Sequence, residues 1–211
     1  MKNRRKDARW MAGVAMMAAI VVLLANTPLG MIPLVVTKAT TVHIPVILGA
    51  ILFGPLAGGI LGGVFGVCSV IINTFTPALT SFAFSPFMST TGLSGAVKAL
   101  WVAVGCRILI GVAAGWLWRA LSRTRMNSWT ALSIVGFTGS MVNTVTVMGS
   151  IFLLFTQQYA QAKEVALEAV SGLILTTVLA NGIPEAIVST VLVAVIGKNL
   201  LRFAKPRLQA A

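Results

Sequence analysis

Two charged side chains lie where charge is costly. Arg107 sits in the segment CRILIGVAAG and Glu185 in NGIPEAI, each inside a long apolar run. An ionisable group at membrane depth costs about 2.5–3.5 kcal/mol on insertion scales, and by default it marks a functional site. Asn143 falls in the middle of another apolar run, and Asn181 precedes Glu185 by four residues, which places both on one helix face. A guanidinium fork recognises a carboxylate, and amides read hydroxyl or carbonyl groups. These residues can therefore line a ligand pocket. They can equally form an Arg107–Glu185 ion pair, with the amides joining helices. The two readings overlap, because a pair can also hold the arginine in place. Asn73, Phe82, Phe84 and Ser85, nearer a helix end, extend the candidate binding set. His43 is the lone histidine, and a single histidine favours a structural role.

Other chemistry is missing. There is no G-x4-G-K-[ST] phosphate loop, no H-E-x-x-H and no G-x-S-x-G. Cys68 and Cys106 lie in apolar segments without a CxxC or histidine partner, so they read as small core residues. No catalytic residue, metal site or cofactor is expected.

The elements that must carry these residues are apolar throughout. The chain has 211 residues, is 57% hydrophobic and only 9% charged, with a mean hydropathy of +0.95. Soluble domains carry roughly 25% charged residues, and disorder needs low hydrophobicity. Both are excluded, and an integral membrane protein remains. The net charge of +12 comes from 16 Lys+Arg against 4 Asp+Glu. These basic residues cap apolar runs and are not interleaved with aromatics, so nucleic acid is not an expected partner.

A spanning helix needs about 20 apolar residues. The first run is Trp10 to Asn26, whose end is a poor signal-peptide cleavage site. Residues 43–73 would stretch about 46 Å as one helix, and Gly54-Pro55 breaks them. Two short helices are predicted there, near 43–53 and 57–73. Further spans are predicted near 97–120, 130–155 and 174–197. With six spans and both termini cytoplasmic, the inside segments hold Lys2, Arg4, Arg5, Lys6, Arg9, Arg119, Arg123, Arg125, Lys198, Arg202, Lys205 and Arg207. That distribution obeys the positive-inside rule. The predicted class is an all-α membrane protein of a single domain. It comprises a basic amino terminus (1–9), a six-helix bundle (10–200) and a basic tail (201–211).

The outer loops are unusually apolar. NTPLGMIPLVVTKATT (Asn26 to Thr41) and NTFTPALTSFAFSPFMSTTGLSG (Asn73 to Gly95) either rest on the helix ends or form a lid over an outward pocket. The third loop, around 156–172, is polar and could be an interfacial helix. Small residues recur at helical spacing: Ala8, Ala12, Ala15 and Ala19 on the first helix, and Gly58, Gly62 and Gly66 on the third. Such stripes let backbones approach closely. The glycines suit packing within the bundle, and the alanines could face another subunit.

Together these segments resemble the substrate-binding S-component of energy-coupling factor (ECF) vitamin transporters. HIPVILGAILFGPLAGGILGGVFG (His43 to Gly66) is similar to the family's second and third helices with their Gly-Pro turn, and SFAFSPF (Ser81 to Phe87) to the loop that follows. CRILIGVAAG resembles a fourth-helix segment in which members often carry Pro-Arg; here Cys106 replaces the proline. GSMVNTVTVMG (Gly139 to Gly149) and NGIPEAI (Asn181 to Ile187) match the fifth- and sixth-helix patterns. The resemblance implies six helices and an outward-facing vitamin site roofed by the first and third loops. It also implies partners: a transmembrane scaffold subunit and two ATPases in the bacterial cell membrane. The family's Ala-x-x-x-Ala scaffold-docking motif fits Ala15 and Ala19, or Ala8 and Ala12. Whole-segment similarity leans towards pantothenate-type members. Carriers of hydroxymethylpyrimidine, folate, riboflavin or cobalamin share much of the pattern. A non-transport membrane scaffold explains the hydropathy and the stripes, but not aromatic loops over buried Arg, Glu and Asn. A stand-alone secondary carrier would often show an inverted repeat, and none is evident between residues 1–105 and 106–211.

Overall fold

The computed structural model describes residues 8–33, 38–89 and 92–209. The basic cluster before Ala8 and part of the first loop thus lie outside the described residues. Among the described residues there are six helices: α1 (Ala8–Ala25), α2 (His43–Phe53), α3 (Pro55–Phe75), α4 (Gly92–Leu121), α5 (Ser128–Lys163) and α6 (Ala169–Arg202, continuing helically to Gln209). Five of them are long and apolar enough to cross a membrane. The exception is α2, whose 11 residues extend only about 16 Å. It need not span alone, because its residues from His43 to Ile51 are all buried among the other helices.

The break between α2 and α3 falls where Gly54-Pro55 predicts it. Gly54 adopts φ 93°, a conformation that L side chains rarely reach, and Pro55 opens α3 where its missing N–H costs nothing. The helices then alternate in direction. Trp10 Nε1 donates to Phe53 O at 3.1 Å, which ties the start of α1 to the end of α2. Pro55 meets Gly115 of α4 at the same end. Arg119 lies over Trp116 and Lys198 over Trp129, each at 5.8 Å. Paired cations and indoles at one end of a bundle suit the membrane–water interface.

The glycine stripe of α3 packs within the bundle. A Cβ on Gly58 would lie 2.2 Å from Gly111 O, and one on Gly62 would lie 2.1 Å from Arg107 O. Backbone, not side chain, fills that space, so α3 and α4 touch directly. This seam sets the position of Arg107. Gly58→Ala should therefore force the helices apart and destabilise the protein by about 1–3 kcal/mol or more. Gly149→Ala, where nothing lies within 4 Å, should leave the melting temperature unchanged. Thermal melts in detergent compare the two; equal melts would mean the seam yields freely.

Three features differ from the sequence expectation. The first loop contains a short antiparallel ladder, β1 (Met31–Pro33) with β2 (Lys38–Thr40). The polar segment after residue 155 is no separate element: α5 bends at Phe155 (φ −134°, ψ 24°) and stays helical to Lys163. Glu164 then ends it in the left-handed conformation, with φ 54°. Finally, α4 and α6 each contain a widened π-helical turn, at Trp101–Gly105 and Val178–Gly182. In α6 the cause is legible. Pro184 cannot donate, and its ring would crowd the carbonyl four residues earlier.

Candidate functional site

Each widened turn lies just before one of the buried charges, Arg107 or Glu185. Such turns often occur at functional sites, because they rotate side chains away from the regular helical face. Arg107 is 8% exposed, and its Nη1 reaches back to Val102 O in the widened turn at 2.7 Å. The guanidinium lies between two rings, Phe65 of α3 at 5.2 Å and Phe84 of the second loop at 5.0 Å. Cation–π contacts of this kind contribute roughly 0.5–2 kcal/mol each and offset part of the cost of burial. Arg107 Nε is buried without a hydrogen-bond partner.

Glu185 is 9% exposed and does not form a direct ion pair with Arg107. The pairing that the sequence allowed is not made. Its carboxylate instead accepts from Thr40 Oγ1 at the end of β2, and His43 Nδ1 approaches the same Oε1 at 3.5 Å. Glu185 thus joins α6 to the first loop and to the start of α2.

The asparagines divide. Asn73 is satisfied: its Nδ2 donates to Ser69 O at 2.8 Å, and its Oδ1 accepts from Ser81 Oγ at 2.9 Å. That arrangement pins the second loop to α3. Asn143 Oδ1 is buried with no partner, which leaves an acceptor inside the bundle. Asn181 lies in the π turn, half-buried. The wider turn breaks the four-residue register with Glu185 that the spacing assumed.

The second loop is ordered by short 3-10 turns at Ser81–Ala83 and Pro86–Met88. Ser85 is fully buried, 2.7 Å from Thr74 Oγ1. Phe82 packs edge-on against Phe155, with centroids 5.8 Å apart. Of the loop's other rings, Phe84 caps Arg107, whereas Phe75 and Phe87 are exposed. Sequence reasoning does not single out Phe65. Its signal is its place between Gly62 and Gly66, on the α3 face that meets α4. An apolar groove of about 540 Å³ between α1 and α3, lined by Val64, Val67 and Ile71 among others, contains none of these charged groups.

On α1, Ala8, Ala12, Ala15 and Ala19 are all exposed, and only Val14, Met17 and Val21 of its 18 residues are buried. Among the described residues no group of three or more His, Cys, Asp or Glu side chains could hold a metal ion.

A multi-pass helical protein whose charges and amides gather inside, under an aromatic loop, belongs to the class of membrane-embedded solute-handling proteins. More narrowly, the chain belongs to the ECF transporter substrate-specific component family, whose sequence pattern it matches over residues 9–197. It is 30% identical over 196 residues to the pantothenic acid transporter PanT of Lactococcus lactis subsp. cremoris (strain MG1363), covering 92% of this chain and 93% of that one. It is thus the substrate-specific subunit of a transporter and a multi-pass protein of the bacterial plasma membrane.

Proposed function

We propose that this subunit captures pantothenate from outside the cell and presents it to a transmembrane scaffold driven by two ATPases. One observation carries the reading most directly: a buried guanidinium, held between Phe65 and Phe84, whose Nε has no partner within the protein. That edge of the fork suits a carboxylate, which accepts two parallel hydrogen bonds. Asn143, with its unpaired Oδ1, and Asn181 would read the hydroxyl and amide groups of the same ligand. Phe82, Phe84 and Ser85 belong to the loop that would roof it, and Asn73 holds that loop down. Glu185 would tie the first loop over the site. The carboxylate, amide and hydroxyls of pantothenate match this donor and acceptor set, and the likeness to PanT points the same way.

The basic end of the bundle would face the cytoplasm, and the loops would face outward. The exposed alanine stripe of α1 would dock the scaffold. Chemical turnover is not part of this function. Energy would come from the partners, so ligand binding itself should need no ATP. Isothermal titration of the detergent-solubilised protein with a panel of B vitamins tests this, with pantothenate expected to bind tightly without nucleotide. Tight binding of a different vitamin would replace the substrate. Silence across the panel from folded protein would remove the reading.

A further inference from the structure

Among the described residues, four side chains inside the bundle hold buried polar atoms without a hydrogen-bond partner: both ring nitrogens of His43, Arg107 Nε, Ser140 Oγ and Asn143 Oδ1. Native proteins keep few such groups, because each carries its full desolvation cost. Their positions are related. Gly139 of α5 packs on Ile47 of α2. Asn143 lies one turn beyond Gly139, and His43 one turn before Ile47. Because α2 and α5 run in opposite directions, both steps lead towards the same end, and the two residues fall at a common level. Gly136 packs on Ser189 of α6. One turn beyond Gly136 is Ser140, and one turn before Ser189 is Glu185, so these two also share a level. His43, fully buried, bridges the sets through its 3.5 Å approach to Glu185 Oε1.

We infer that His43 and Ser140 contact the substrate within the site proposed above, and that Glu185 is the positioning residue for His43. A proton on Nδ1, the nitrogen nearer the carboxylate, would leave Nε2 as an acceptor. An acceptor at Nε2 near a serine hydroxyl takes a ligand O–H or N–H donor. This pair therefore selects an alcohol or secondary amide and disfavours a second carboxylate. Arg107 would hold the acid end of the ligand, and His43 would hold the hydroxylated end. This inference rests on the capture of pantothenate proposed above.

The test uses the full chain in detergent, titrated with pantothenate and with a pantothenate analogue lacking its hydroxyl groups, beside thermal melts. His43→Leu should weaken pantothenate binding at least tenfold, and His43→Gln, which keeps an acceptor, should recover part of the loss. Against the analogue, wild type and His43→Leu should bind alike. Unchanged pantothenate binding by His43→Leu overturns the inference while capture stands. Equal losses for both ligands, the mark of a merely structural role, overturn it too. Should His43→Leu fail to fold, the same comparison with Ser140→Ala and His43→Gln decides. If wild type binds another vitamin instead, the substrate proposed above falls, and the same variants titrated with that vitamin decide the role of His43. If wild type binds none of the panel, both fall.

Discussion

Arg107→Met should leave the protein folded and weaken vitamin binding by two orders of magnitude or more. Methionine fills the slot between Phe65 and Phe84 with a flexible apolar chain, and replacing a buried charge by a well-packed apolar residue is often neutral or stabilising. Losing the charged partner of a buried ligand carboxylate costs about 2–5 kcal/mol, and each 1.4 kcal/mol is a factor of about ten. Arg107→Lys should rescue poorly. A lysine keeps the charge and the ring contacts but lacks the planar fork, so it cannot reproduce both the Val102 bond and a two-pronged grip on a carboxylate. If Arg107 serves only to fasten α4 to the second loop, the pattern reverses: Arg107→Met melts lower, yet whatever remains folded binds normally. Titration and melting run on the same samples separate the two. A folded Arg107→Met that binds like wild type would remove the arginine from the site.

The parts of the fold that local chemistry dictates are legible in the sequence. Gly54-Pro55 breaks the 43–73 run because proline cannot donate and glycine alone reaches φ 93° comfortably. The Gly58, Gly62, Gly66 stripe announces close backbone contact, and the α4 backbone lies against it. Charge inside an apolar run is enough to single out Arg107 and Glu185.

What cannot be read locally depends on tertiary partners. Sequence depth alone places Arg107 and Glu185 at similar levels and invites a pair. The fold instead gives the arginine two aromatic rings and a backbone carbonyl, and the glutamate a threonine and a histidine from distant segments. The π turns explain part of that difference, because each changes the direction of every side chain beyond it. Pro184 signals the one in α6. No comparable residue marks the one in α4, where Cys106 stands in the place that members often give to proline. The three-residue strands before α2 are too short to show a period of two residues, so the loop looks featureless until Thr40 is seen on Glu185.

The second large effect is expected on the exposed face of α1. Ala15→Trp or Ala19→Trp should bind the vitamin as wild type does and yet fail in cellular uptake and in co-purification with the ATPase module. Both alanines are exposed on α1, which buries Val14, Met17 and Val21 in the bundle. Both positions point away from the rest of the described bundle, so folding and the polar cluster inside it should be undisturbed. A partner helix that relies on a small-residue surface for close approach would be held off. Bulky residues already stand on exposed parts of the same helix, with Met16 67% and Leu23 64% exposed. The control is therefore Ile20→Trp, at an exposed position about 100° round the helix from Ala19, which should cost much less uptake. If the alanine face instead packs on another part of this chain, the substitution overpacks a core, at about 1–3 kcal/mol, and binding falls together with uptake. Parallel loss of both activities, or equal uptake by Ala19→Trp and Ile20→Trp, would show that the scaffold does not dock on this stripe.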